Sequence, residues 1–193
     1  MTMESIFDKV EEFVKETYRR AGKEKTIPHF ERTVYWVRQL KPDSDEALRV
    51  AAFSHDIERA IYGDWVQGST DVDVLQKHGE LSAEIIGGFL RTIDAEDAFV
   101  SKVKMLVAMH EFGGNDEQDV LKEADCLSYF ETRAPIHVTV WPDQGVPKAH
   151  VRKKFEFMYA RLKTAHARKI AKPLFKKAID KLNRTQIFTD KHR

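Results

Sequence analysis

Apolar positions along the chain recur at spacings of three and four residues, the period of a helix face and not of a strand. Ile6, Phe7, Val10, Phe13, Val14 and Tyr18 trace a first helix that Gly22 stops. Val34, Trp36, Val37 and Leu40 continue a second. Thr26 is placed to cap it, and Pro28 falls in its first turn, where a missing N–H costs nothing. Asp43, with Glu46 three residues on, reads as a capping-box start for a third helix, which carries the stretch RVAAFSHDIERAIYGD at 49–64. Residues 62–77 are polar, glycine-punctuated and aperiodic, which predicts a loop. Helices are predicted from about Gly79 to Ile93, from Asp94 and Asp97 to Met109, and from Asp116 to about Thr132, with EFGGND at 111–116 as a break. The Pro- and Gly-rich stretch APIHVTVWPDQGVP at 134–147 predicts at most a short extended piece at His137–Trp141. Beyond it the pattern is helical again, kinked or split at Pro173, and the final TDKHR is expected to fray. The expectation is an all-α fold, one helical bundle over residues 1–193.

Composition narrows the class. With 42% hydrophobic and 33% charged residues in 193 positions, the chain is globular and long enough to bury a core without staples. Its one cysteine, Cys126, cannot form an intramolecular disulfide, as suits a reducing compartment. No stretch approaches the roughly 18 apolar residues of a membrane span. MTMESIFDKVEEF carries acids where a signal peptide would have a basic start, so the cytoplasm is the expected location and no membrane partner is expected. A net charge of +1 gives no whole-protein attraction to nucleic acid. The basic helices at 148–185 are uneven, however: from Lys148 to Arg184, thirteen Lys or Arg stand against two acids. They read as a solvated face, with a partner surface as the alternative.

Chemistry-bearing residues fall at helix ends and junctions. His29 lies in the first turn of helix two, His55 and Asp56 late in helix three, His78 at the start of HGELSAEIIGGFL, and His110 at the end of SKVKMLVAMH. Taken singly, each histidine has a plain structural explanation: packing beside a cap, a surface position, or a charge partner for a helix C-terminus. Asp125 does not. Its neighbours Leu121, Ala124, Leu127 and Tyr129 predict a buried helix, and a buried carboxylate needs a cation or several donors. Four imidazoles and two carboxylates on different helices can converge in a bundle core, where metal sites are assembled from facing helices.

The ordered segments PHFERTVYWV, AAFSHDIERA, KHGELSAEII, MLVAMHEFGG and LKEADCLSYF resemble the HD-domain superfamily of metal-dependent phosphohydrolases, over about residues 26–132. The presence of His78 and His110 makes the chain more similar to the binuclear H…HD…H…H…D subset. That subset includes bacterial symmetrical dinucleoside-tetraphosphatases, HD-GYP cyclic-dinucleotide phosphodiesterases and mammalian cyclic-nucleotide phosphodiesterases; the GYP element is absent. The resemblance implies that His29, His55, Asp56 and Asp125 hold a first ion, and that Asp56 bridges to a second held by His78 and His110. A mixed His/carboxylate set suits Mn, Fe, Co, Ni or Zn better than an all-oxygen Ca site. A hydroxide between cations about 3.5–4 Å apart is nucleophilic at neutral pH, and both cations can clamp a phosphoryl oxygen. The implied activity is hydrolysis of a phosphoester or phosphoanhydride in a small, nucleotide-like substrate, through a metal-bound hydroxide.

Asp56 and Arg59 are the catalytic candidates. Arg59 shares the helix face of Asp56 and is implied to bind a phosphate or the leaving oxygen, a salt bridge being its other reading. Lys77 adjoins a ligand and is a substrate-binding candidate. Glu58 is expected to face elsewhere, and Arg32 to be structural. Loops 62–77, 111–116 and 134–147 are expected to wall a pocket in which Trp65, Phe112 or Trp141 stacks on a base. Two other readings share the same ligands. One is a diiron oxygenase; the other is a non-catalytic nucleotide- or partner-binding protein using the basic C-terminal helices. The C-terminal third carries no resemblance.

Overall fold

In the computed structural model, which describes residues 4–63 and 68–190, every regular element is helical. In chain order these are α1 (Ile6–Arg20), α2 (Ile27–Leu40), α3 (Glu46–Ser54), α4 (Glu58–Tyr62), α5 (Val72–Thr92), α6 (Asp97–Ala108), α7 (Asp116–Ser128), α8 (Ala134–Asp143), α9 (Lys148–Ala160) and α10 (Ala165–Asp190). A 3₁₀ turn, Glu24–Thr26, leads into α2, and a π-helical turn, Tyr129–Arg133, joins α7 to α8. The fold is all-α, as the periodicity predicts. No helix among the described residues is long and apolar enough to cross a membrane.

Side-chain caps set most boundaries. Ser5 and Asp8 form a reciprocal capping box on α1, and Gly22 follows its end at φ +66°, a left-handed turn that other residues adopt at a cost. Asn115 and Gln118 form the equivalent box on α7. Helix α3 is capped by Asp45, whose carboxylate accepts from the Leu48 amide at 2.9 Å, so the expected Asp43 start is displaced by two residues. Thr26 lies within the 3₁₀ turn at φ −88°, ψ −23° and makes no side-chain cap bond, because capping needs the extended backbone it lacks.

Four further expectations are corrected. The helix through HDIERA ends at Ser54. Residues 72–77, read as loop, begin α5, where the Asp71 carboxylate accepts from the amides of Asp73 and Val74. Residues 134–147, read as irregular, contain α8: Pro135 occupies its first turn and Pro142 its last, and Ala134, His137, Val138 and Trp141 bury one face at helical spacing. Pro173 lies inside a continuous α10. The chain breaks earlier, after Ala160. Thr189 and Asp190 belong to α10, and the remainder of the predicted frayed tail lies outside the described residues, as does Trp65.

Helix α3 packs against α1, α2, α6 and α7, and every residue from Ala47 to Ser54 except Arg49 is buried. Such an all-round apolar helix belongs in the middle of a bundle. Leu48, Phe53, Phe30, Ile86, Leu106 and Leu121 form the first core. A second joins Leu127, Phe130, Val138, Phe155 and Leu162, and Trp36 and Leu40 pack against both. Lys153, Lys169, Lys172, Lys176 and Lys177 are exposed on α9 and α10, the solvated side of the basic C-terminal segment.

The start of α10 is held from another helix. Buried Glu123 on α7 accepts from the Lys163 and Thr164 amides at 2.6 and 2.5 Å and from the Thr164 hydroxyl at 2.9 Å. Three donors lose their acceptor in Glu123→Ala, which is expected to destabilise by about 2–3 kcal/mol. Thermal unfolding should show a fall in Tm of roughly 5–10 °C. An unchanged Tm would mean that solvent replaces this cap without loss.

Candidate metal centre

The sharpest irregularity in the core is where α3 stops. His55, Asp56 and Ile57 form a turn of i-to-i+3 bonds, with Ile57 N donating to Ser54 O at 3.0 Å and Arg59 N to Asp56 O at 3.0 Å. The Asp56 carbonyl also accepts from the Tyr18 hydroxyl at 2.7 Å. The turn thus places two consecutive polar side chains, His55 and Asp56, toward the interior at a helix end.

Each of the four candidate histidines is fixed through Nδ1. His55 Nδ1 lies 3.0 Å from Ala52 O, and His110 Nδ1 lies 2.7 Å from Val107 O. Both carbonyls belong to last turns, and Val107 O also accepts from the His110 amide at 3.3 Å. A carbonyl only accepts, so Nδ1 carries the hydrogen in both rings. His29 Nδ1 lies 2.8 Å from Ser128 Oγ. That hydroxyl donates its own proton to His29 O at 2.6 Å, so it accepts from the ring. His78 Nδ1 meets the Glu58 carboxylate. All four Nε2 atoms therefore remain for a ligand, the second-sphere arrangement that orients imidazoles around metals.

Those nitrogens converge with two carboxylates. His29 Nε2 lies 3.2 Å and His55 Nε2 3.7 Å from Asp125 Oδ1. His78 Nε2 lies 2.8 Å and His110 Nε2 3.8 Å from Asp56 Oδ1, while Asp56 Oδ2 lies 3.9 Å from His55 Nε2. Ring centroids step from His29 to His55 at 5.2 Å, to His110 at 5.1 Å and to His78 at 5.0 Å. Two groups could each hold an ion: His29, His55 and Asp125, and Asp56, His78 and His110. All six predicted ligand positions are thereby brought together. The residues fit a cation: His55 Nε2 and His110 Nε2 are buried with no hydrogen-bond partner among the described residues, a costly state for a polar atom.

Electrostatics agree with the geometry. Burial drives the Asp56 carboxyl upward, yet Arg59, His55 and His78 hold it well below the ordinary carboxylate value. Asp125 is likewise held low against burial by His29, His55 and Arg161. Burial keeps His110 neutral, lowered to about 3. His55 resists burial through Asp56 and Asp125 and is raised to about 9, so without a cation it carries a proton at neutral pH.

Four contributors escape the sequence reading. Glu58, expected to face elsewhere, is 2% exposed and holds His78, because the break after α3 resets the helical phase. Glu111 follows His110 and pairs with Arg161 at 2.9 Å. Arg161, far along the chain, also reaches Asp125 Oδ2 at 3.0 Å and the His110 carbonyl at 3.0 Å. Lys154 is buried beside them. The adjacency of Glu58 to HD and of Glu111 to His110 was a visible signal; nothing local pointed to Arg161.

A cavity of about 280 Å³ opens over the centre. Arg59 lines it, with Nε 3.3 Å from Asp56 Oδ2 and Nη2 3.4 Å from His78 Nε2, so it combines the ion-pair and cavity-facing roles. Lys77 is exposed on α5 and is not among the lining residues, since one helical step turns it away from His78. Trp141 lines the far wall, stacked on His137 at 4.0 Å, whereas Phe112 does not face this cavity. Arg32 forks onto Glu131 at 2.7 and 3.0 Å, a structural pair. No family model, curated protein or solved structure matches the chain.

Gly79 brings α5 against α6: a Cβ there would lie 2.5 Å from the Ala108 carbonyl. Gly79→Ala is expected to separate His78 from His110 and weaken Mn or Zn binding about tenfold or more. Gly88→Ala, where a Cβ meets nothing within 4 Å, should leave binding unchanged. Equal affinities in calorimetry would show that the close approach is dispensable. Cation uptake at pH 7 should also expel the His55 proton, since coordination requires the free Nε2 lone pair. Affinity then falls as pH is lowered, and titrations in buffers of different ionisation enthalpy read the released proton directly; no release would show a neutral ring.

Proposed function

We propose that the chain is a metal-dependent phosphohydrolase of the HD-domain type, acting on a phosphoester or phosphoanhydride of a small, nucleotide-like molecule. The observation that carries this reading is the convergence of four Nδ1-anchored imidazoles on Asp56 and Asp125 at the floor of a cavity. In this reading His29, His55, Asp56 and Asp125 hold one divalent ion, and Asp56 reaches a second held with His78 and His110. Mn, Fe, Co, Ni or Zn suits the donor set. When bound, such ions supply Lewis acidity, lowering the pKa of water and polarising a phosphoryl oxygen.

Charge points to the substrate class. Lys23, Arg59, Arg133 and Lys154 line the cavity against Asp56, Glu58, Glu111 and Asp125, four of each sign. Divalent ions would tip this balance positive, so an anion belongs there. Arg59 lines the cavity beside Asp56, where a guanidinium can take a phosphoryl oxygen. Glu58 and Ser128 keep two imidazoles from turning, which holds the floor rigid while substrate exchanges. The aromatic pair His137–Trp141 offers a planar surface opposite the floor.

Untagged protein is expected to carry about two equivalents of transition metal by mass spectrometry. With Mn, Co or Fe added it should hydrolyse a chromogenic phosphodiester or members of a nucleotide panel, and Asp56→Ala should lower turnover more than about a hundredfold. Bound metal without turnover on any of these overturns the reading. Product formation that requires ferrous iron and dioxygen would replace it with an oxygenase.

A further inference from the structure

Lys154 is a buried cation with little to hold. It is 8% exposed, and it belongs to α9, outside the segments that resemble the HD superfamily. Its ammonium has three donors, and its one hydrogen bond among the described residues is to the Ser69 carbonyl at 3.4 Å. Its other close partner is the Phe157 ring, 5.1 Å away. No carboxylate among the described residues lies within 4.0 Å of it, although Glu111 and Asp125 line the same cavity. Those two acids are instead taken by Arg161, at 2.9 and 3.0 Å. Ordinary packing does not explain a buried, sparsely paired ammonium, because burying a charge without partners is among the larger costs a core can carry.

We propose that Lys154 is a substrate-binding residue of this cavity, holding an anionic phosphoryl oxygen that the ions do not take. The proposal rests on the phosphohydrolase reading of the same centre. Lys154 lines the cavity with Arg59 and Arg133, so its free donors meet whatever anion lies over the metal floor. Its flexible stem carries a compact charge with three donors, which suits a phosphoryl oxygen. Arg161 serves the opposite purpose: by neutralising Glu111 and Asp125 it leaves the Lys154 charge available to an incoming ligand. Recognition would then come from the C-terminal helices, while the ion ligands come from α2 to α7.

The 193-residue chain loaded with Mn, titrated with inorganic phosphate and separately with pyrophosphate, tests this. Lys154→Met keeps the stem and removes the charge. Expected are unchanged metal content, an unchanged or higher Tm, and at least tenfold weaker binding of whichever anion the unsubstituted protein prefers. Lys154→Arg should recover most of the loss, and KM for a turned-over phosphoester should rise more than kcat falls. Equal anion affinity in Lys154→Met and the unsubstituted protein overturns the role of Lys154 and leaves the hydrolase reading intact. If the unsubstituted protein holds Mn but binds neither anion, the hydrolase reading fails and takes this proposal with it. Should Lys154→Met not fold, Lys154→Gln is held to the same criteria.

Discussion

Two carboxylates set among imidazoles, half-buried Asp56 and buried Asp125, are the constraint around which this bundle is built. A carboxylate out of water must find positive charge or donors, and here both are supplied from several helices at once. Asp125 draws His29 from α2, His55 from the end of α3 and Arg161 from the end of α9. Asp56 draws His78 from α5, His110 from the end of α6 and Arg59 from α4. The helices are thus tied at their polar ends as well as along their apolar faces, which fixes their relative register more narrowly than hydrophobic burial alone.

Helix termination does much of the positioning. At the ends of α3 and α6, last-turn carbonyls accept from the ring Nδ1–H of the histidine three residues on. One bond satisfies a backbone acceptor and orients a metal-binding nitrogen. The cavity floor is therefore made from backbone features present before any ion arrives, a form of preorganisation. Glu58 and Ser128 perform the same service for rings that lie inside helices.

Much of this was legible in the sequence because it follows from local rules. The 3.6-residue period points to the all-α class, and the resemblance of the ordered segments to the HD-domain superfamily named His29, His55, Asp56, His78, His110 and Asp125, the six side chains that meet. The errors have physical causes. A continuous apolar stripe through Phe53 and Ile57 hid the turn at His55–Asp56, since the residues flanking a helix break still face the same core. Pro135 and Pro142 suggested irregular chain in 134–147, yet both sit at helix ends, where they interrupt no essential bond. Arg161 was invisible because a long-range ion pair leaves no trace in spacing, and Lys154 because burial by distant helices leaves none either. A lysine among thirteen basic residues looks like every other until its burial is known.

The π-helical turn at Tyr129–Arg133 has a consequence for how the chamber is assembled. It continues α7 directly into α8, so one unbroken helical rod carries Asp125 and Ser128 at the floor and Arg133, Ile136, His137 and Trp141 along the far wall. π turns are rare and occur mostly as single turns at functional sites. Floor and wall are thus one continuous stretch of backbone, and the extra residue of the π turn sets the angular offset between the side chains on its two sides.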